Sequence, residues 1–169
     1  MIKYTKVIID GISGSGKSER INKLRELIAN DPETNGKVTV EEHGILREAI
    51  GNNDMFDVKN KFARNFALTE LITQVNNDKD TLYIVFDAPV IDCQRRILKQ
   101  GNSIEDKHRT FAELCVYREK YLQIANDLKK FGVKNIYLTP TCTSIDETCM
   151  NGILVDAANI FHRIKPYSD

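Results

Sequence analysis

The chain contains 169 residues, of which 41% are apolar and 28% are charged, as in ordinary globular proteins. Lysine plus arginine and aspartate plus glutamate number 24 each, so the charge balance does not favour a large basic nucleic-acid footprint. No apolar run approaches the roughly 18 residues that a membrane-spanning helix needs. Length and composition therefore predict one domain over residues 1–169, with a single hydrophobic core and no membrane attachment.

The amino-terminal residues and the cysteines bear on the cellular compartment. Residues 1–4 lead directly into an apolar segment, which leaves no room for a signal peptide and predicts a cytoplasmic protein. The four cysteines are scattered without a C-x-x-C pair, which favours reduced thiols. Cys142 and Cys149 are close in sequence, and a disulfide or a metal pair between them is the weaker alternative.

The first predicted strand covers residues 4–10 and is apolar on both faces, which is typical of a central strand. A helix is predicted from residue 19 to about residue 30, because Ile21, Leu24 and Ile28 fall on one of its faces. Between these two elements, residues 11–18 read G-x-x-x-x-G-K-S, the pattern of a phosphate-binding P-loop. A strand, a glycine-rich turn and a helix in this order form the local structure that such loops require.

The chemistry of this segment predicts binding of ATP and Mg²⁺. Glycines let successive backbone N–H groups point at one anion, and the helix N-terminus adds a partial positive charge. Lys17 is expected to reach the β- and γ-phosphates, and the Ser18 hydroxyl to bind Mg²⁺. The predicted nucleotide-binding residues are Gly11, Ser13, Gly14, Ser15, Gly16, Lys17, Ser18 and Glu19.

The second predicted strand, residues 37–41, is followed by a short helix over 45–50 and a long amphipathic helix over 56–75. Two acids, Glu41 and Glu42, end the strand, and either could orient or deprotonate an acceptor hydroxyl. Alternation from an inward Val40 favours Glu42, although a solvated turn explains both acids equally well. The apolar face predicted for the long helix comprises Phe62, Phe66, Leu68, Leu71, Ile72 and Val75.

The third predicted strand, residues 82–87, is almost wholly apolar and ends in Asp87, and helices are predicted over 90–100 and 110–130. A carboxylate in that place needs a cation or a donor, so Asp87 is predicted to lie near Mg²⁺ or a substrate hydroxyl. The alternative is a cap for the helix that follows. Arg95 and Arg96 are predicted to neutralise charge on the transferred phosphoryl group. Further candidates for this role are Arg64, Arg109 and Arg118.

A fourth strand over 133–139, a polar loop over 140–152, a fifth strand over 153–155 and a last helix over 156–164 complete the prediction. Strands that alternate with helices predict an α/β fold with a five-stranded parallel sheet and helices on both faces. Ligands of such sheets bind beyond the carboxyl ends of the strands, where the P-loop, Glu42 and Asp87 all fall. The three features therefore predict one shared site.

Other titratable residues carry less specific signals. His43, His108 and His162 show no metal-ligand spacing, so Mg²⁺ is the only ion predicted. Asp10 directly precedes the P-loop, and it is either an acid that supports the phosphate site or a simple strand-end cap.

Residues 8–18, Ile-Ile-Asp-Gly-Ile-Ser-Gly-Ser-Gly-Lys-Ser, resemble the opening motif of the thymidylate kinase and deoxynucleoside kinase group of P-loop kinases. Residues 42–44, Glu-His-Gly, are similar to the Glu-Pro that follows the second strand of that group, and Asp87 falls where the group has the acid of an Asp-Arg or Glu-Arg pair. Residues 62–67 occupy the place of its substrate-lining helix. The resemblance implies a three-layer P-loop kinase fold in which Phe62, Arg64 and Phe66 line the substrate.

Three departures from the group's pattern affect which positively charged side chains could stabilise the transferred phosphoryl group. Ala88 replaces the arginine after the strand-end acid, and Glu19 stands where a second hydroxyl residue is usual. The segment where the group has its arginine-bearing lid, about residues 140–152, contains no arginine or lysine and is read as a reduced lid. The transition-state cations are therefore expected from Arg95 or Arg96.

The leading functional prediction is ATP-dependent transfer of the γ-phosphate to a nucleoside or a nucleoside monophosphate. A kinase whose acceptor is a hydroxyl on modified DNA or a polynucleotide is one alternative, and a nucleotide-dependent binding or ATPase module is another. A homodimer is left open. The nucleic-acid alternative predicts a basic groove formed by Lys61, Arg64, Arg95, Arg96, Lys107 and Arg109.

Overall fold

A computed structural model describes residues 1–99, 110–141 and 147–166, with residues 147–150 described by their backbone alone. In chain order the elements are β1 Lys6–Gly11, α1 Lys17–Asn30, β2 Thr39–Glu42, α2 Ile45–Ile50, a 3₁₀ turn Asn53–Phe56, α3 Lys61–Asn77, β3 Thr81–Asp87, α4 Val90–Lys99, α5 Phe111–Lys130, β4 Ile136–Pro140 and α6 Glu147–Ile164. No helix within these ranges combines the length and the apolar character needed to cross a membrane.

The described strands form one parallel sheet in the order β2-β1-β3-β4, which confirms the predicted α/β class and the central place of the first strand. Val7, Ile9 and Ile84 are fully buried in the two middle strands, as expected for strands covered on both faces. The register pairs Ile9 with Glu42 and Gly11 with Phe86, so the carboxyl ends of the strands lie side by side at one end of the sheet.

The predicted fifth strand is wrong, because residues 153–155 lie inside helix α6. Ile153, Ala157, Ile160 and Ile164 recur at helical spacing, and all four are buried. Leu154 and Val155, which made the segment look like a short strand, are exposed instead. The predicted loop over 140–152 is wrong for the same reason from residue 147 onward, while residues 142–146 lie outside the described part.

Helices cover both faces of the sheet. Helices α1 and α6 pack on one face, where Leu24 of α1 and Ile160 of α6 are fully buried. Helices α2, α3, α4 and α5 cover the opposite face, where Leu46, Leu71 and Tyr121 are buried. The sheet therefore separates two apolar layers, each formed with the helices on one face. The carboxyl ends of the strands lie between these two helical layers.

Helix α3 begins at Lys61, five residues later than predicted, after Asn60 accepts a hydrogen bond from the backbone N–H of Ala63. Its buried stripe is Ala67, Leu71 and Val75, spaced by four residues. Each residue of a helix turns about 100° from the last, so a stripe through Ala67 leaves the preceding residue outside. The predicted inward positions of two phenylalanines are therefore wrong, since Phe62 is 83% exposed and Phe66 is 60% exposed.

Candidate functional site

The P-loop connects the end of β1 to the start of α1, as the sequence predicts. Gly14 and Gly16 have φ of 77° and 81°, the left-handed region that favours glycine. A Cβ atom on Gly14 would lie 2.5 Å from the carbonyl oxygen of Cys93, a buried residue in the first turn of α4. Glycine at position 14 therefore lets the loop pack directly against the backbone of α4.

Polar groups of the loop are held close to its centre. Lys17, only 8% exposed, donates from Nζ to the carbonyl oxygens of Gly11 at 2.8 Å and Ile12 at 2.9 Å. The Ser15 hydroxyl is buried and has no hydrogen-bond partner within the described ranges. Ser18, at the start of α1, is exposed. A lysine and an unpartnered hydroxyl beside a glycine-rich turn are the donors that a phosphate group requires.

A cavity of about 180 Å³ opens at this loop. It brings together six of the eight predicted nucleotide-binding residues, one strand-end acid and one of the predicted arginines. These lining residues are Ser13, Gly14, Gly16, Lys17, Ser18, Glu19, Glu42 and Arg96.

Arg95 and Arg96, neighbours in α4, have different surroundings. Arg96 is 12% exposed at its side chain and forms an ion pair with Glu19 in the first turn of α1. Arg95 is exposed and does not line the cavity. Helix geometry therefore selects Arg96 as the arginine that accompanies the P-loop.

Glu42 ends β2 opposite Ile9 of β1, and its carboxylate reaches the cavity with 41% of the side chain exposed. The exposed Glu41 points elsewhere and pairs with Lys6 at 3.2 Å. The structure thus places the acid that alternation favours beside Lys17.

Asp87 ends β3 and is bound by α5. The Nε of Arg118 donates to Oδ1 of Asp87 at 2.7 Å, and this hydrogen bond raises the pKa of Arg118. Tyr83, Val85 and Asp87 alternate on the face of the sheet that α5 covers, opposite Phe86. Asp87 does not line the P-loop cavity, so its role as a ligand of Mg²⁺ stays a prediction.

Asp10, for which the sequence allowed two roles, contacts His43 and Tyr121. Its carboxylate is fully buried, and Oδ1 lies 3.0 Å from Nδ1 of His43 and accepts a hydrogen bond from the Tyr121 hydroxyl at 3.3 Å. Burial first, and then the charge of Asp10, raise the pKa of Tyr121, so this hydroxyl keeps its proton. Asp10 is therefore a buried acceptor beneath the P-loop.

Sequence reasoning missed a buried ion pair that joins α1 to α6. Arg20 is fully buried, and its Nε donates to Oδ2 of Asp156 at 2.6 Å. A second donor of Arg20 reaches the carbonyl oxygen of Gly16 at 3.2 Å. Leu24 and Ile28 define the buried stripe of α1, and one turn before them the stripe falls on Arg20, which was the available signal.

Residues predicted to line the substrate lie away from the loop cavity. Arg64 is half-buried and Phe62 and Phe66 are exposed, all three on α3. Two members of the predicted basic groove, Lys107 and Arg109, are outside the described residues, as is His108.

The hydrogen-bond donors of the site fit a triphosphate, and the nearby Cys93 thiol does not act as a thiolate. The left-handed glycines, the Ser15 hydroxyl and Lys17 match the needs of phosphate oxygens, and the exposed Ser18 hydroxyl fits a place at Mg²⁺. Burial raises the pKa of the Cys93 thiol behind the loop to about 12, so it stays protonated. In the described part of the chain, no group of three or more histidine, cysteine, aspartate or glutamate side chains is arranged to hold a metal ion.

No family model matches the chain, and no curated protein is significantly similar to it.

Proposed function

We propose that this protein is an ATP-dependent phosphotransferase with a three-layer P-loop kinase fold, acting on a nucleoside or a nucleoside monophosphate in the cytoplasm. The observation that carries the proposal is the loop at the carboxyl end of β1. There Lys17 lies among left-handed glycines with the Ser15 hydroxyl, which has no partner among the described residues. A buried hydroxyl without a partner is costly in a folded protein, and a phosphate oxygen would satisfy it.

The residues of the loop would hold the triphosphate by position and charge. Backbone N–H groups of the loop and of the α1 N-terminus donate to phosphate oxygens, while Lys17 neutralises their charge. Ser18 would hold Mg²⁺, and bound Mg²⁺ supplies charge neutralisation at the transferred phosphoryl group. Arg96 reaches the same cavity and would exchange Glu19 for a phosphate oxygen, because its guanidinium forms bidentate pairs with phosphate.

The acceptor would lie on the β2 side of the cavity. Glu42 lines the same cavity as the loop, and a carboxylate in hydrogen-bond reach of a hydroxyl can take its proton as the phosphoryl group moves. Asp87, at the end of β3, would bind Mg²⁺ or the acceptor hydroxyl, and its partner Arg118 of α5 would bind negative charge on the acceptor.

Transfer of a radiolabelled γ-phosphate tests the proposal directly. The purified chain is incubated with labelled ATP and Mg²⁺ and a panel of nucleosides, nucleoside monophosphates and DNA that carries a modified, hydroxylated base. Labelled product from one small-acceptor class is the expected result. Label transferred only to DNA would instead favour a polynucleotide kinase, and release of phosphate without any labelled acceptor would favour an ATPase module.

A further inference from the structure

His43 is held in an uncommon backbone conformation between the ends of two strands. Its φ is 65°, and it is the only residue other than glycine with positive φ in the part of the chain that the structure describes. Its backbone N–H donates to the carbonyl oxygen of Ile9 at 3.0 Å, which continues the pairing of β1 with β2 by one residue. Non-glycine residues adopt this conformation at a cost, and such residues concentrate at functional sites.

The imidazole ring of His43 contacts a carboxylate at each nitrogen. Nδ1 lies 3.0 Å from Oδ1 of Asp10, and Nε2 lies 3.4 Å from Oε1 of Glu42. Asp10 is fully buried, whereas the side chains of His43 and Glu42 are 37% and 41% exposed. The ring therefore links a fixed charge in the interior to a carboxylate that lines the P-loop cavity.

A second donor contacts the same Asp10 oxygen as His43. Tyr121 of α5 donates its hydroxyl to Oδ1, and Arg47 of α2 also reaches the Tyr121 hydroxyl. The second oxygen, Oδ2, is buried and without a partner within the described ranges. Because it is fully buried and bound at Oδ1, Asp10 orients the His43 ring, as a buried carboxylate does in other carboxylate–imidazole pairs.

We propose that His43 is a positioning residue that, anchored by Asp10, holds the Glu42 carboxylate in place to accept the proton of the acceptor hydroxyl. This inference rests on the proposed function. Glu42 takes the hydroxyl proton as the acceptor oxygen bonds to the γ-phosphorus, and ADP leaves with the electron pair of the broken phosphorus–oxygen bond. His43 keeps its own protons and acts through Glu42.

Kinetics of matched variants test the positioning role. His43→Asn suits the left-handed backbone, because asparagine tolerates positive φ, but its side chain is too short to join both carboxylates. We expect kcat to fall by about tenfold to a hundredfold while KM for ATP stays unchanged. The control is His162→Asn, an exposed histidine in the last turn of α6, which should leave both constants unchanged.

A double variant separates indirect from direct action. If His43 acts through Glu42, adding His43→Asn to Glu42→Gln should slow transfer no further than Glu42→Gln alone. Losses that multiply in the double variant would overturn the proposal, because they would show that the two side chains work independently.

Nuclear magnetic resonance of the ring nitrogens gives a readout that needs no activity. Because a ring nitrogen without a proton cannot donate to a carboxylate, we expect both ring nitrogens of His43 to carry protons, Nδ1 facing Asp10 and Nε2 facing Glu42. The Nε2 signal should shift in Glu42→Gln while the His162 signals stay fixed. If the wild-type protein transfers phosphate but the Nε2 signal of His43 does not change in Glu42→Gln, this inference alone would be overturned. A coupled ring in a protein that phosphorylates none of the panel would overturn the proposed function, and the positioning role with it.

Discussion

The two ends of the sheet differ in how completely their polar groups are satisfied. At the amino end, the Asn135 side chain donates to the carbonyl oxygens of Val75, Asp78 and Thr81 at 3.0 to 3.1 Å. At the carboxyl end lie both buried side-chain oxygens that have no partner among the described residues, Oγ of Ser15 and Oδ2 of Asp10.

Among the described residues, the amino end therefore satisfies its own buried polar side chains, whereas the carboxyl end leaves two buried oxygens for another group to satisfy. Unsatisfied buried oxygens reduce stability, so their confinement to one end argues that something else completes them there. The amino end, closed by its own hydrogen bonds and by the Lys165 ion pairs with Asp31 and Glu33, needs no such completion. Changes at the two ends should therefore affect different properties.

The largest expected effect lies at the carboxyl end, in Lys17→Ala. Transfer of the γ-phosphate should fall on the order of a thousandfold, because a cation at the transferred phosphoryl group is lost. Labelled-product formation measures this loss, and circular dichroism checks that the fold persists. Lys23→Ala, on the outer side of the same helix, is the control and should transfer at the wild-type rate.

The next effect is expected for Asp87→Asn. Loss of the carboxylate should lower kcat on the order of a hundredfold, whereas stability should change by about 1 kcal/mol or less, because the pair with Arg118 is partly exposed. Steady-state kinetics and thermal melts on one preparation compare the two. Glu41→Gln is the matched control at an exposed strand end. A melting temperature that falls in proportion to activity would instead assign Asp87 a purely structural role.

The amino end is probed by Asn135→Ala. Three carbonyl oxygens lose a donor in a region that is 7% exposed at Asn135, so the free energy of unfolding should fall by about 2 to 3 kcal/mol. Transfer at a temperature where the variant stays folded should be unchanged. Urea unfolding measures the first quantity, with the exposed Asn76→Ala as control. Reduced transfer in folded Asn135→Ala would contradict the separation of the two ends.

The smallest effect concerns acid stability. The hydrogen bond from Lys165 lowers the pKa of Asp31, and with the amino-terminal charge it lowers the pKa of Glu33 from 4.5 to about 2. Because the folded pKa is lowered, the stabilisation is present above pH 4.5 and is lost as the pH falls towards 2. Lys165→Met should therefore lower the melting temperature near neutral pH and have no effect near pH 2.

The exposed Lys37→Met controls for loss of one positive charge and should show no such pH dependence. An equal loss of melting temperature for Lys165→Met at both pH values would show that the lysine stabilises the amino end by packing alone.

The part of the fold that sequence predicts is the part that local patterns determine. Strand β3 is a continuous apolar run, and α2 was predicted with its observed bounds, Ile45–Ile50. The prediction of a fifth strand failed because Ile153, Leu154 and Val155 suit a strand when read alone. The helical repeat of buried residues through Ala157 and Ile160 extends over about three turns. A longer reading window favours the helix, because the buried positions keep one period throughout.

The glycine-rich turn between β1 and α1 was predictable because its residues are contiguous in sequence, whereas its surroundings were not. Arg20 and Asp156 are 136 residues apart and Asp10 and Tyr121 are 111 apart, so no local spacing reveals their contacts. The left-handed backbone of His43 has no sequence signal either, because its N–H bonds Ile9, 34 residues earlier in the chain. Long-range pairs of this kind follow from the folded topology rather than from any motif.

The ion pair between Arg20 and Asp156 has a consequence for engineering the chain. Arg20 donates both to Asp156 of α6 and to the carbonyl oxygen of Gly16 in the P-loop, so the carboxyl-terminal helix helps to support the loop. Truncation before α6 would remove the Asp156 carboxylate, leaving the buried Arg20 without this partner, and would also remove the apolar cover of one face of the sheet. A fragment that lacks α6 is thus a poor choice for crystallisation or display. An affinity tag should be attached after α6 and should not replace it.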